Sequence, residues 1–316
     1  MHASFRDKNA PGNGVYISLL ELYFEKKGAG AETLHLRRQV RSARGGLKRS
    51  SIRSRGMEFF ESRPYVAADE MRTIDWKVSA RKNTLYTKIF IEEKDRPIFL
   101  GLDLRRHMFF GTRSMFKSVL AAKLAARLAF AGQNGGDRVG AFILNDHGVT
   151  ECPKGSSDKS MALLLGKIAH ATKTPLANEQ APAGEPHFWR AALMRMSNRI
   201  ESGAWIFLIS DFHGLSESDR PFLYKLRKRS DIFALSIRDP LEEKLPSLGM
   251  VGMLLGDQVI QFNSSNASLE HRYRTRFLEE QAQCSNLFKA LDIPHIAFST
   301  ADDMDTKLRS IFSGRW

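Results

Sequence analysis

The last two thirds of the chain alternate short apolar runs with segments of helical periodicity. The run Ile98–Asp103 is followed by a helical pattern at 114–131, and the alternation continues to residue 312. Strands that alternate with helices of this length favour a doubly wound, mostly parallel sheet with helices on both faces. We therefore predict an α/β, Rossmann-like fold. The predicted strands cover 98–103, 138–144, 204–210, 232–237 and 293–298, a hairpin covers 250–262, and helices cover 114–131, 158–171, 187–201, 267–291 and 302–312.

The first 97 residues have a different texture. Residues 1–13 are polar and contain a Pro-Gly pair, which predicts disorder. Residues 85–91 alternate apolar and polar side chains, as a half-buried strand does. The sequence thus predicts a disordered N-terminus (1–13), a basic, β-rich N-terminal module (14–97) and an α/β domain (98–316).

Positive charge is concentrated near the N-terminus. The chain carries a net charge of +13, and residues 1–97 hold 20 basic and 12 acidic side chains. Between Glu32 and Glu58 there is no acid, whereas eight lysines and arginines occur there. Such a run can bind nucleic acid or an anionic lipid surface, or it can be solvated or pair with an acidic partner. No aromatic interleaving or known binding module accompanies this run, which argues against nucleic-acid binding. Nucleic-acid binding is therefore an alternative function and not the leading one.

Cysteine usage and hydropathy indicate the compartment. The two cysteines, Cys152 and Cys284, lie at unrelated positions, as free thiols of a reducing compartment do. No apolar stretch approaches the roughly 18 residues of a membrane span. The first residues also lack the apolar core of a signal peptide. We predict a cytoplasmic protein without a membrane span.

Two of the predicted buried strands end in aspartates, Asp103 and Asp211. Neighbouring parallel strands would bring these carboxylates together at one edge of the sheet, where a hard cation would suit them. The loop after Asp103, however, offers Arg105 and His107 instead of hydroxyls. A guanidinium repels a divalent ion, so we predict that Arg105 pairs with Asp103 or Asp211 and takes the place of the cation.

Catalytic signatures are weak in this sequence. It contains no His-Glu-x-x-His, no phosphate-binding glycine loop and no Gly-x-Ser-x-Gly elbow. We predict a non-enzymatic protein without a cofactor or bound metal, Mg²⁺ being the one candidate. The alternative is a metal-dependent hydrolase that uses Asp103, His107, Asp211 and His213.

Residues 63–81 are unusually rich in Arg, Asp, Trp and Tyr. One interpretation is a buried network in which Arg63, Arg72 and Arg81 meet Asp69, Asp75 and Glu61 beneath Trp76. The other is a docking surface, since Trp, Tyr and Arg dominate interface hot spots. The candidate docking residues are Arg63, Tyr65, Asp69, Arg72, Asp75, Trp76 and Arg81.

The same block carries a family likeness. Gly56–Phe59, Arg63-Pro64-Tyr65, Arg72–Trp76 and Ser79-Ala80-Arg81 resemble the signature of the bacterial "domain of unknown function 58" family. The likeness continues through Glu92–Arg96, Phe110-Gly111, Lys117 and Gly136–Gly140, and covers roughly residues 14–240.

The resemblance implies a von Willebrand factor type A-like domain with additional N-terminal β structure. It also implies an adaptor that works with a MoxR-type AAA+ ATPase and other type A-domain proteins in chaperone-like assembly or maturation of other proteins. No enzymatic activity is generally assigned to the family. Protein partners would then bind at the strand ends near Asp103 and Asp211 and at the basic module.

The sequence departs from the family relatives that hold a metal. Type A domains with a metal-ion-dependent adhesion site use Asp-x-Ser-x-Ser, and those positions are Asp103, Arg105 and His107 here. The later aspartate of such a site matches Asp211, and its threonine could be Thr172 or Thr174. The resemblance therefore implies a degenerate adhesion site.

Overall fold

The computed structural model describes residues 13–29, 49–50, 57–67, 69–92, 96–173, 188–255 and 258–312. The described strands are β1 (Arg49–Ser50), β2 (Met57–Pro64), β3 (Tyr86–Glu92), β4 (Ile98–Asp103), β5 (Val139–Asn145), β6 (Gly148–Gly155), β7 (Trp205–Ser210), β8 (Asp231–Arg238), β9 (Met250–Leu255), β10 (Gln258–Asn263) and β11 (His295–Ser299). The described helices are α1 (Leu19–Phe24), α2 (Trp76–Lys82), α3 (Lys117–Asn134), α4 (Asp158–Ala171), α5 (Phe188–Arg199), α6 (Arg220–Arg227), α7 (Pro240–Glu243), α8 (Ala267–Ala290) and α9 (Met304–Phe312).

The chain forms two compact units. One consists of residues 36–95, and the other of residues 1–35 together with 96–316. In its described part, the larger unit is built on a six-stranded sheet in the order β11-β8-β7-β4-β5-β6. Every neighbouring pair in this sheet is parallel except β5 and β6, which form an antiparallel hairpin. The α/β class and the mostly parallel sheet are therefore confirmed.

Burial explains why β4 and β7 are apolar throughout. All six residues of each strand are buried, because helices cover both faces of a doubly wound sheet. On one side α5, α6 and α8 contribute Trp189, Leu193, Leu223 and Phe288 to the core. Helix α3 packs against β4 and contacts α1 and α4. The chain leaves β4 for β5 on one side and reaches β7 on the other, so the topological switch point lies between β4 and β7.

Residues 13–29 belong to the larger unit. Ile17 and Leu22 are fully buried, and Glu25 accepts a 2.6 Å hydrogen bond from Arg127 in the middle of α3. Arg127 also lies 2.7 Å from Asp305 of α9. The predicted module boundary at residue 14 is therefore wrong for this segment, because its apolar side chains complete the α/β core. The predicted disorder of 1–13 falls almost wholly outside the described residues.

The smaller unit has a sheet of its own. In the described residues its order is β1-β3-β2, and both strand pairs are antiparallel. Helix α2 follows β2 and is capped by Asp75, whose side chain accepts a hydrogen bond from the Val78 amide. The predicted β-rich character of the N-terminal module is confirmed.

The predicted elements of the larger unit recur with small boundary shifts. The hairpin expected at 250–262 is β9 and β10, and the helix expected at 114–131 begins at Lys117. Residues 174–187, between the helices predicted at 158–171 and 187–201, lie outside the described residues. Among the helices that the structure describes, none has the length and apolarity needed to cross a membrane.

Candidate functional site

The candidate site lies at the carboxyl ends of β4 and β7. Asp103 is the last residue of β4, and Asp211 directly follows β7, its parallel neighbour. This is the switch point, where open α/β sheets place their ligand sites. The structure thus brings together the two aspartates that the sequence singled out.

Asp103 is buried, and both of its carboxylate oxygens accept hydrogen bonds. The Nε and Nη2 atoms of Arg105 lie 3.0 and 2.7 Å from its two carboxylate oxygens, and the Arg105 amide donates a further bond of 3.0 Å. The Ser210 hydroxyl donates to the same carboxylate at 2.6 Å. Burial alone would raise the pKa of Asp103, but His107 and Arg105 outweigh it and hold this pKa well below its usual range. Asp103 is therefore an ionised carboxylate that forms a bidentate ion pair with the guanidinium of Arg105.

The guanidinium of Arg105 is held on its other sides as well. It stacks on the ring of Phe188 at 4.3 Å and lies 5.2 Å from the ring of Trp189. Its Nη2 atom donates to the carbonyl oxygen of His213 at 3.2 Å, and Trp189 Nε1 donates to the same oxygen. Arg105 thus joins β4 to the loop after β7 and to the start of α5.

Asp211 is paired with a different cation. The Nζ atom of Lys117, at the first position of α3, lies 2.7 Å from Asp211 and 2.5 Å from Glu242 of α7. Lys117 is 1% exposed. Although burial would raise the pKa of Asp211, His107 and Lys117 keep it well below its ordinary value. The pKa of Lys117 is in turn raised because Asp211 and Glu242 outweigh its burial. Both groups are therefore charged.

His107 lies between the two aspartates. Its Nε2 atom is 3.0 Å from Asp211 Oδ1 and 3.5 Å from Asp103 Oδ2. Burial would lower its pKa, but the charges of Asp211 and Asp103 raise it to about 9. His107 is therefore an imidazolium at neutral pH. Its ring also lies 5.2 Å from the ring of His213.

The carboxylate oxygens that a metal ion would need at this site are bonded to protein cations. Ligand atoms of Asp103, His107 and Asp211 lie within 4.8 Å of one another, as a metal site requires. However, Arg105 and Lys117 already bind the carboxylate oxygens. Within the described residues, three cationic side chains balance the three carboxylates of Asp103, Asp211 and Glu242. Protein cations therefore occupy the positions beside Asp103 and Asp211 where the hydrolase alternative would place its metal ion.

Sequence reasoning missed several members of the site. Lys117 was noted only as part of the family likeness, and Ser210, Glu242 and Trp189 were given no role. Ser210 directly precedes Asp211, so its position on the same strand end was a readable signal. The other three reach the site from helices α3, α7 and α5, and only the packed fold brings them there.

A second buried carboxylate fixes the loops around the site. Asp239, after β8, accepts bonds from the amide and the hydroxyl of Thr112 at 2.9 and 2.5 Å, and from the hydroxyl of Thr300 at 2.6 Å. These bonds connect the loops that follow β4, β8 and β11. The strand-end loops therefore form one hydrogen-bonded layer above the sheet.

Comparison with known proteins identifies the family of this chain. The family model described as "Protein of unknown function DUF58" matches residues 61–283. The chain belongs to the DUF58 family. The resemblance seen in the sequence is thereby confirmed, although the matched range begins and ends later than residues 14–240.

Similar proteins are known from several bacteria. The uncharacterized proteins Mb1516 of Mycobacterium bovis and Rv1480 of Mycobacterium tuberculosis are each 26% identical over 249 residues, which cover 78% of this chain and 76% of each relative. A solved structure of the conserved hypothetical protein BatB from Bacteroides thetaiotaomicron has a TM-score of 0.45 at 15% identity, covering 69% of this chain and 96% of that one. An aerotolerance-related membrane protein from Bacteroides fragilis has a TM-score of 0.43 at 14% identity, with the same coverage.

In the smaller unit, the acids of the signature block serve local structure. Asp69 pairs with Arg63 at 2.5 Å, accepts a bond from the Val66 amide, and offers its carbonyl oxygen to the Tyr65 hydroxyl. These bonds lower the pKa of Asp69, the bond from Arg63 having the largest effect. Asp75 accepts a 2.8 Å bond from the Ser62 hydroxyl in addition to capping α2. Asp69 and Asp75 are thus used within the unit.

The cations and the indole of the block point outward. Arg72 and Arg81 are exposed, and Trp76 is 67% exposed. The interpretation as a buried network beneath Trp76 is therefore wrong for these three residues, because Thr73 and Ser79, not the arginines, make the inward contacts. The Thr73 hydroxyl bonds to Thr87, and Ser79 Oγ accepts from the Tyr86 amide.

The two candidates for the threonine of an adhesion site are Thr172 and Thr174. Thr172 is buried at the end of α4, where its hydroxyl donates to the Ala169 carbonyl and accepts a bond from the Ile17 amide. It is therefore used in holding the N-terminal segment. The other candidate, Thr174, lies outside the described residues.

Proposed function

We propose that this DUF58 chain is a non-enzymatic adaptor whose strand-end face binds other proteins. The strand-end face consists of the paired aspartates Asp103 and Asp211, the imidazolium of His107, and the exposed rim residues Arg106 and His213. The observation that carries the proposal is that each aspartate at the switch point has its own buried protein cation. A type A-like adhesion site of this kind would be degenerate, with side chains in the place of the metal.

Charge balance supports a binding role for this face. A metal-dependent site needs open coordination positions, whereas here all carboxylate oxygens face donors. What the face offers a partner is a rigid surface of charged groups and hydrogen-bonding loops. Rigid surfaces of this kind lose little conformational entropy on binding, which favours protein recognition.

The resemblance names the partner class to test first, a MoxR-type AAA+ ATPase, in the cytoplasm. The adaptor would serve chaperone-like assembly or maturation of other proteins, together with other type A-domain proteins. The partners and the role are carried over from the resemblance to the family.

Purified chain should co-purify with such an ATPase. The substitutions Arg106→Glu and His213→Ala should each weaken the complex roughly fivefold, because reversing one interfacial charge and truncating a contact each cost on the order of 1 kcal/mol. Affinity is measured by biolayer interferometry. Arg274→Glu on the exposed surface of α8 is the matched control and should leave affinity unchanged. No binding by the folded wild-type chain, or an equal effect of the control, would count against the strand-end face.

Removing the protein cations should create a metal site. The variant Arg105→Ser, His107→Ser, Lys117→Thr replaces each cation with a hydroxyl, so the freed carboxylates should bind Mg²⁺ with a Kd of about 1 mM or tighter. Titration calorimetry measures the heat of Mg²⁺ addition, and the wild-type chain should give none. A control with three exposed basic side chains changed, Lys225→Thr, Arg272→Ser and His271→Ser, should also give none. A folded triple variant without heat would show that the two strand ends are not a converted metal site.

A further inference from the structure

Helix α2 is fastened to its sheet on one side only. Asp75 accepts bonds from the Val78 amide and the Ser62 hydroxyl, at 3.2 and 2.8 Å. Ser79 Oγ accepts a 2.8 Å bond from the Tyr86 amide of β3. One side of the helix is thus fixed by hydrogen bonds to β2 and β3.

The opposite side of α2 is exposed. At 100° per residue, Trp76, Lys77, Ala80 and Arg81 fall within an arc of about 140°. All four are exposed. We call this set the Trp76 face. Around the helix, the small side chain of Ala80 lies between the indole of Trp76 and the two cations of Lys77 and Arg81.

Further large apolar side chains are exposed in the same unit. Val66 is 57%, Met71 74% and Leu85 47% exposed. Val66 and Leu85 belong to the end of the β2–β3 hairpin, where the Tyr65 amide bonds to the Leu85 carbonyl. Scattered single apolar residues need no explanation, but three of them together with an exposed indole in one stretch of 20 residues, from Val66 to Leu85, do.

The charges around these apolar side chains are mostly positive. Besides Lys77 and Arg81, the cations of Arg72 and Lys82 are exposed, whereas Asp69 and Asp75 are turned to internal bonds. Two acids of the described part of the unit, Glu61 and Glu70, are also exposed. Over residues 36–95 the sequence has 15 basic and 8 acidic side chains, which supply +7 of the net charge of +13.

We propose that the Trp76 face, with Val66, Met71 and Leu85, binds the surface of an anionic lipid bilayer. Trp and aliphatic side chains at the headgroup level and Lys or Arg around them are the chemistry of interfacial binding. Long cationic side chains can cover apolar surface while their charges reach the headgroups. A bilayer surface can also contact apolar residues from separate elements. Here Val66 and Leu85 lie beside the ends of β2 and β3, Met71 lies in a 3₁₀ turn and Trp76 lies in α2. A protein interface would instead be expected to bring such anchors into a packed pocket.

The test uses the full chain and vesicles of phosphatidylcholine with or without phosphatidylglycerol. Sedimentation should show binding to the anionic vesicles only, weakening as salt is raised. Trp76→Ala should lower the partition coefficient about tenfold, and Lys77→Gln with Arg81→Gln should lower it by roughly tenfold or more. Tyr224→Ala and the pair Arg272→Gln, Arg274→Gln remove an exposed aromatic and two exposed cations from the larger unit, and should have little effect.

Tryptophan emission locates the contact. Trp189 and Trp205 are buried, so in a Trp316→Phe background the change on vesicle binding reports Trp76. Its emission should shift to shorter wavelength and be quenched by brominated lipid. Failure of the folded chain to bind anionic vesicles at low salt overturns the proposal and leaves the face to a protein partner. Unchanged binding by both the Trp76 and the Lys77/Arg81 variants overturns it too, assigning the lipid contact to the basic segment 37–55. Neither result alters the prediction for the strand-end face.

Discussion

Asp103→Asn should lower the free energy of unfolding by about 3–5 kcal/mol, the largest effect expected of a single substitution in this site. The amide removes the charge that balances Arg105, which is buried and stacked on Phe188. Breaking one partner of a buried pair leaves the other charge desolvated, and that penalty exceeds the value of the pair itself. Urea unfolding followed by circular dichroism measures the change.

Two further variants separate the pair from a general packing effect. Arg105→Met in the Asp103→Asn background should recover part of the lost stability, because an apolar side chain of similar length needs no counter-charge. Glu217→Gln removes a carboxylate from the exposed pair with Arg220 and should cost less than about 1 kcal/mol. A cost below about 1 kcal/mol for Asp103→Asn, or no recovery in the double variant, would contradict the role assigned to Arg105.

The second large effect is a fall in stability as pH rises from 6 to 9. The pKa of His107 is about 9 in the folded chain, against about 6.5 when unfolded. A raised folded pKa stabilises the fold fully below the unfolded value and loses that contribution as pH rises through the folded value. The difference corresponds to about 3 kcal/mol across this range. Urea midpoints at successive pH values measure it.

The variant His107→Gln should flatten this part of the profile. His295 is a built-in contrast, since burial, followed by the charge of Arg238, lowers its pKa to about 4. Its contribution is therefore present above about pH 6.5 and is lost as pH falls toward 4, outside the range in which His107 acts. A wild-type profile that stays level from pH 6 to 9 would show that His107 is not held as an imidazolium by the two aspartates.

The sequence predicted the two aspartates of the site and one of its cations. Buried parallel strands read as apolar runs, and a doubly wound order places Asp103 and Asp211 at adjacent strand ends. Arg105 is only two residues beyond Asp103, so its pairing follows from local chain geometry. The sequence thus predicted that Arg105 pairs with Asp103 or Asp211, and in the structure its partner is Asp103.

The rest of the site depends on contacts between distant segments. Lys117 and Glu242 meet across 125 residues, and nothing near either one in sequence marks the other. The helix α2 shows a different limit. The sequence of residues 63–81 left a buried network and a docking surface as alternatives, because no apolar periodicity marks the outward side of so short a helix. Its inward side is held by two polar residues, Ser79 and Asp75, the residue that caps the helix.

The contacts of Arg127 have a consequence for the order in which the chain can fold. This side chain, in the middle of α3, is bonded to Glu25 near one end of the chain and to Asp305 near the other. During synthesis α1 leaves the ribosome first, yet its partner helix follows about 100 residues later, and the last carboxylate follows nearly 200 residues after that. Contacts of such separation slow folding because long loops must close first. The nascent chain should therefore expose Ile17 and Leu22 until α3 and α4, the helices that contact α1, have been synthesised.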